Sequence, residues 1–298
     1  MMKISYLCGL FGALRTKVRL YMQFTTPIDI PRSPWEIRYN DRILFLGSCF
    51  SDHVAAHLQQ YCFQVTANPL GTLYNPVSIV HHSDLFGQAD VVLVTFGTAW
   101  VYIDNLLPTT DNPLDRVVDN CRKRPAAEFT RYRLSKEEIV SLWLPVLNRY
   151  ADKRFVFTVS PIRHIKDGLH ENQLSKAVLL SAVDELVQRA SLERKGRVNY
   201  FPAYEILLDE LRDYRFYAAD MMHPSEVAVE YIFSRFAETY LYDAWTQADM
   251  RTLHRLYLDS HHRPLHPDSE EYKAFAKSVR SRRDELRKRF PWLPDINP

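Results

Sequence analysis

Three apolar runs limit what this chain can become. Ile43–Leu46 (ILFL), Val91–Phe96 (VVLVTF) and Arg154–Val159 (RFVFTV) are short, nearly free of polar residues, and each gives way to Gly or Ser. A strand with one wet face alternates polar and apolar residues. A run apolar at almost every position reads as a strand covered on both faces, as in a parallel sheet. Helical spacing fills the gaps between them: Ser51 to Tyr61, Asn75-Pro76 to about Phe86, Leu134 to Tyr150, and Asn172 to Arg194. Ser51 or Asp52 is placed to cap the first helix, and Ser135 with Glu138 fits a capping box on the third, which Pro145 is expected to bend. Phe63–Val65 and Val198–Phe201 complete the strand candidates, and Pro224-Ser225 opens a helix to about Tyr240. This alternation predicts an α/β fold with a parallel sheet and helices on both faces. Ligands then bind beyond the carboxyl ends of the strands. That singles out Gly47-Ser48-Cys49, Gly97-Thr98, and Ser160-Pro161 with Arg163-His164.

The rest divides more coarsely. Residues 97–133 lack a clear period and read as a long loop beside the site. From Trp245 the chain is helical and charged. The expected layout is an N-terminal extension over 1–21, a main domain over 22–243 and a C-terminal helical extension over 244–298. The apolar run Ile4–Leu14 between Lys3 and Arg15 resembles a signal-peptide core, yet no small-x-small site follows it, and the chain at Met22 reads as a natural domain start. The expectation is a cytoplasmic protein, with export as the alternative. No later run reaches the ~18 apolar residues of a membrane span.

Composition excludes several classes. With 38 basic and 36 acidic residues the formal charge is +2, so no global field attracts nucleic acid. Gly numbers only 8, and neither GxGxxG nor GxxxxGK[ST] occurs. The four cysteines (Cys8, Cys49, Cys62, Cys121) are scattered without a CxxC. His81-His82 and His261-His262 lack an acidic pattern around them. No cofactor and no metal are expected.

Chemistry concentrates at two places. Ser48 lies between a strand and a helix, where the helix dipole and unpaired N–H groups favour a developing negative charge. Serine is a weak nucleophile unless a base takes its proton, and the base needs an orienting acid. The segment Ala219-Asp220-Met221-Met222-His223-Pro224 offers both, with His223 as base and Asp220 as orienting acid. Cys49 is the rival nucleophile. Neighbours in an extended chain face opposite ways, and the reading places Cys49 in the core and Ser48 facing out.

The run Gly47-Ser48-Cys49-Phe50-Ser51 resembles the motif that names the GSCFA family, with Ser51 where that name has Ala. NPLGTLYNP (68–76), TFGTAWVY (95–102), VVDNCRK (117–123), VSPIRHIKDGLHENQLSKA (159–177) and the stretch 200–225 add to the likeness, which spans about residues 22–240. This family is similar to the SGNH or GDSL hydrolases. The resemblance implies a three-layer flavodoxin-like sheet, an acyl-ester substrate that is a carbohydrate or small molecule, and Ser48, Asp220 and His223 as catalytic residues. O-acyl transfer and non-catalytic ligand binding are the alternatives. Two departures stand out. No Asp follows the first Gly, and Ala99 occupies the place of the Asn that serves the oxyanion hole. The N–H groups of Ser48 and Gly71 remain as donors, and Asn75, Asn120 and His164 are candidate side-chain donors beside Gly97 and Thr98.

Overall fold

A computed structural model describes residues 25–121, 123–194 and 196–295. The N-terminal extension and its signal-like run lie outside the described residues.

Five parallel strands form the central sheet. β1 (Arg42–Gly47), β2 (Gln64–Ala67), β3 (Val91–Phe96), β6 (Arg154–Val159) and β7 (Val198–Tyr200) lie in the order β2-β1-β3-β6-β7. Counting parallel strands alone, the order is 2-1-3-4-5, the flavodoxin-like winding. Alternation along each strand feeds two separate cores. Ile43, Phe45, Val91, Leu93 and Val156 join one. Leu44, Leu46, Val92, Val94, Phe96, Phe155, Phe157 and Val159 join the other.

The first core is covered by α1 (Phe50–Gln60), α6 (Glu226–Tyr240), α7 (Ala244–Ser260) and α8 (Glu270–Arg287). The second is covered by α2 (Pro76–His81), α3 (Lys136–Arg149) and α4 (Leu169–Arg194). A short α5 (Ala203–Glu205) runs on into a π turn, Ile206–Leu211. Ser135 and Glu138 form the capping box of α3, and Pro145 sits inside that helix. Asn75 caps α2 with Pro76 in its first turn, and Ser225 caps α6. Among the described residues no helix is long and apolar enough to cross a membrane.

Two expectations fail here. The cap of α1 is Cys49, without a side-chain hydrogen bond, while Asp52 Oδ1 accepts from Asn68 Nδ2 instead. The stretch 97–133 is not one loop. It contains an antiparallel pair, β4 (Trp100–Asp104) with β5 (Phe129–Arg133), separated by 24 residues. The buried Val101 and Ile103 alternate with the more exposed Trp100 and Tyr102, a period-two signal too short to read without its partner.

Candidate active site

The winding reverses between β1 and β3, and the crevice there is where such sheets bind ligands. β1 ends at Gly47, whose φ is +140°. A β-carbon on Gly47 would stand 2.1 Å from the Thr95 carbonyl oxygen of β3, so only Gly lets the two backbones meet. Ser48 N–H donates to that same oxygen at 3.1 Å, and Gly47 N–H donates to Asn68 Oδ1 at 2.9 Å. The chain then turns straight into α1.

This turn buries Ser48 more deeply than Cys49, against the expectation. Ser48 is 1% exposed and its Oγ accepts from Phe50 N–H at 3.3 Å. Its β-carbon faces Gly97 across the crevice. Cys49 is half-buried, and its Sγ lies 3.7 Å from His223 Nε2. The sulfur, not the serine hydroxyl, is the group that meets the imidazole. The alternation of an extended chain does not apply to this pair, because Cys49 already has helical backbone, φ −58° and ψ −15°. Ser51, where the family motif has Ala, uses its hydroxyl to bond Thr95 Oγ1 at 2.7 Å.

Asp220 and His223 stand as a unit. Asp220 Oδ2 is 2.5 Å from His223 Nδ1, and Oδ1 accepts from the N–H groups of Met222 (2.9 Å) and His223 (3.0 Å). Those two N–H groups, followed by the imidazole, pull the carboxyl pKa down to about 2. The turn is held by Ala218 N–H on His223 O and by Met221 in left-handed backbone, φ 58°. A methionine there costs roughly 1 kcal/mol. Burial pushes the Cys49 thiol above its ordinary range; the N–H groups of Cys49 and Phe50 oppose this, and the carboxylates of Asp52 and Asp220 add to it. The thiol is therefore protonated at neutral pH and needs a base.

The expected donors for an oxyanion are mostly engaged. Gly71 N–H bonds Asn68 O, and the N–H groups of Gly97 and Thr98 both bond Tyr74 O. Thr98 Oγ1 pairs with Ser175 Oγ at 3.1 Å, and Ala99 N–H donates to that hydroxyl at 2.8 Å. Asn75 is spent on its helix cap. Asn120 lines a separate cavity of about 340 Å³ with His81 and Asp119, which no member of the Cys49–His223–Asp220 set lines. His164 does reach the site. Burial first, then the charges of Lys176 and His223, pull its pKa down to about 4, so its ring is neutral at pH 7. Its Nε2 is buried without a hydrogen-bond partner. Tyr74 meets the His164 ring edge-on at 6.1 Å.

Lys176 escaped the sequence reading. It is 1% exposed, and its Nζ donates to Gly97 O (2.6 Å) and Ser160 O (2.7 Å), the residues that follow β3 and β6. The available signal was an ionisable residue in the buried stripe Asn172, Lys176, Leu179, Val183 of α4. Burial lowers its pKa from 10.5 to about 7. The unfolded chain then holds more protons than the native one between those values, so this group makes stability rise with pH across that window. Below about 7 both states are protonated and the full cost of the buried charge remains. In melting experiments at pH 7, 8 and 9, wild type is expected to gain on Lys176→Met as pH rises. A constant gap between the two would refute the buried-charge account.

The parallel α/β sheet thus carries a thiol, an imidazole and a carboxylate in sequence at the winding reversal of a flavodoxin-like fold. The sequence profile described as the GSCFA family matches residues 42–86 and 81–236, and that of the GSCFA domain protein, C-terminal domain, matches 255–297. The chain belongs to the GSCFA family. No curated protein matches it. Among solved structures it is similar to an acetyl-xylooligosaccharide esterase of Geobacillus (12% identity, TM-score 0.43, covering 70% of this chain and 98% of that one). It is also similar to a lipolytic protein of the G-D-S-L family from Veillonella parvula (9%, 0.41, 67% and 98%). A third is a GDSL-like lipase from Bacteroides thetaiotaomicron (8%, 0.41, 71% and 88%).

Proposed function

We propose that the protein is an acyl-ester hydrolase that works through an acyl-Cys49 intermediate. The observation that carries this is the line Cys49 Sγ, His223 Nε2, His223 Nδ1, Asp220 Oδ2, with gaps of 3.7 Å and 2.5 Å. His223 Nε2 takes the thiol proton as Sγ bonds to the ester carbonyl carbon, and Asp220 supports the imidazolium that forms. The carbonyl oxygen becomes an oxyanion at the positive end of α1, where the Cys49 N–H points toward the reacting sulfur. The C–O bond breaks, and His223 returns the proton to the leaving alkoxide. Water then attacks the thioester carbon, gives a proton to His223, and Cys49 leaves as thiolate to recover that proton. An alcohol in place of water makes the same site an O-acyltransferase. Ser48, the expected nucleophile, acts here as the buried residue that seats the turn, and the substrate is a carbohydrate or small-molecule ester.

Trapping the intermediate tests this. After incubation with 4-nitrophenyl acetate and an acid quench, peptide mass spectrometry is expected to find one acetyl group on Cys49, absent from His223→Ala. An adduct on Ser48 with Cys49 unmodified, or no acyl group on either, would sink the proposal.

A further inference from the structure

Arg163, like Lys176, is a cation near this site that pairs with no carboxylate among the described residues. It sits in the turn after β6, and its N–H donates to the carbonyl of Met222, the residue before His223 (3.2 Å). Its guanidinium carbon lies 4.2 Å from the Tyr217 ring centre and 5.0 Å from that of Tyr214. Neighbouring arginines are occupied: Arg131 by Asp167, Arg133 by Glu171, Arg215 by Asp213. Among the described residues Arg163 forms no ion pair. The Asp220 carboxylate, in the turn that Arg163 N–H bonds, is already engaged with His223 and two N–H groups.

Stacking on a ring occupies one face of a guanidinium, while its edge carries five N–H donors in a fork that matches a carboxylate or phosphate, more than the neighbouring Tyr217 hydroxyl can take up. Two rings also hold the group still, so little side-chain freedom is lost when an anion arrives. The two rings are tilted 44° to each other with centres 6.0 Å apart, and the corner they make opens to solvent, because Tyr214 is 64% exposed. A cation fixed beside the catalytic turn, stacked but unpaired, suits a substrate group that carries negative charge away from the scissile bond.

We propose that Arg163 anchors an anionic group of the substrate, a carboxylate or a phosphate, so that the ester cleaved at Cys49 belongs to a charged rather than a neutral molecule. This rests on the acyl-transfer reading of the site. The test does not depend on turnover. Titration calorimetry at low ionic strength measures glutarate, inorganic phosphate and neutral glutaramide against the full chain, Arg163→Gln and Arg163→Lys, with a melting curve for each variant. Saturable binding of at least one anion is expected, weakened about tenfold or more in Arg163→Gln and less in Arg163→Lys, with no binding of glutaramide. The tighter of the two anions identifies the source of the charge. No saturable anion binding, or equal binding in a folded Arg163→Gln, would overturn the proposal and leave Arg163 as a packing residue. Absence of acyl-Cys49 alongside Arg163-dependent anion binding would instead count against the hydrolase reading alone.

Discussion

Cys49→Ala is expected to lower kcat/KM for an activated ester by about 10⁴-fold or more, as removal of a triad nucleophile does. Ser48→Ala should stay within about tenfold of wild type, a barrier change under ~1.4 kcal/mol. The contrast follows from geometry. Only the sulfur of Cys49 lies at the imidazole, while Ser48 Oγ is turned onto Phe50 N–H in a site 1% exposed. Deleting the hydroxyl costs one buried hydrogen bond, about 1 kcal/mol of stability. Cys49→Ser keeps a nucleophile in the same place but a weaker one, so slow turnover is expected to survive. Steady-state kinetics on the three variants decide the matter. The opposite order, with Ser48→Ala inactive and Cys49→Ala active, would return the role to serine.

Gly47→Ala is the largest stability effect expected. The added methyl would stand 2.1 Å from Thr95 O, 2.8 Å from Thr95 C and 2.9 Å from Thr95 N. All three are backbone atoms of a central strand, so no side chain can swing aside. The φ of +140° adds strain of its own. A loss above ~4 kcal/mol is expected, a large part of the 5–15 kcal/mol that holds a domain folded. The melting midpoint should fall by about 10 °C or more. Gly87→Ala is the control: its methyl meets only Tyr150 Cε1 at 4.0 Å, and the change should be near neutral. A midpoint for Gly47→Ala within a few degrees of wild type would mean that β1 and β3 separate more easily than their register suggests.

The fold was legible because its strands are buried on both faces. VVLVTF and RFVFTV admit few other readings, and both strands fall where those residues begin and end. The β4–β5 pair was missed because its two halves pair across 24 residues that carry no hairpin turn signal. Asp220 and His223 were legible as a pair, since three residues in a tight turn leave them little choice of neighbour. Which of Ser48 and Cys49 stands at the imidazole was not. The two are adjacent, both chemically competent, and told apart by the backbone at the head of α1, where Cys49 is already helical. Lys176 was invisible for a related reason: helical spacing marks its face as buried, yet the two carbonyls that accept its protons belong to strand ends 79 and 16 residues away.

One helix joins the site to the C-terminal region. α1 begins beside the Cys49 thiol and ends about 16 Å away by helix rise. There Trp292 Nε1 bonds Cys62 O, Phe290 packs on Tyr39, and Tyr61 lies against His254. The C-terminal region thus packs at the far end of the helix that starts beside Cys49. A chain cut before residue 255 would keep every residue of the site and lose the Trp292 and Phe290 contacts at the other end of α1.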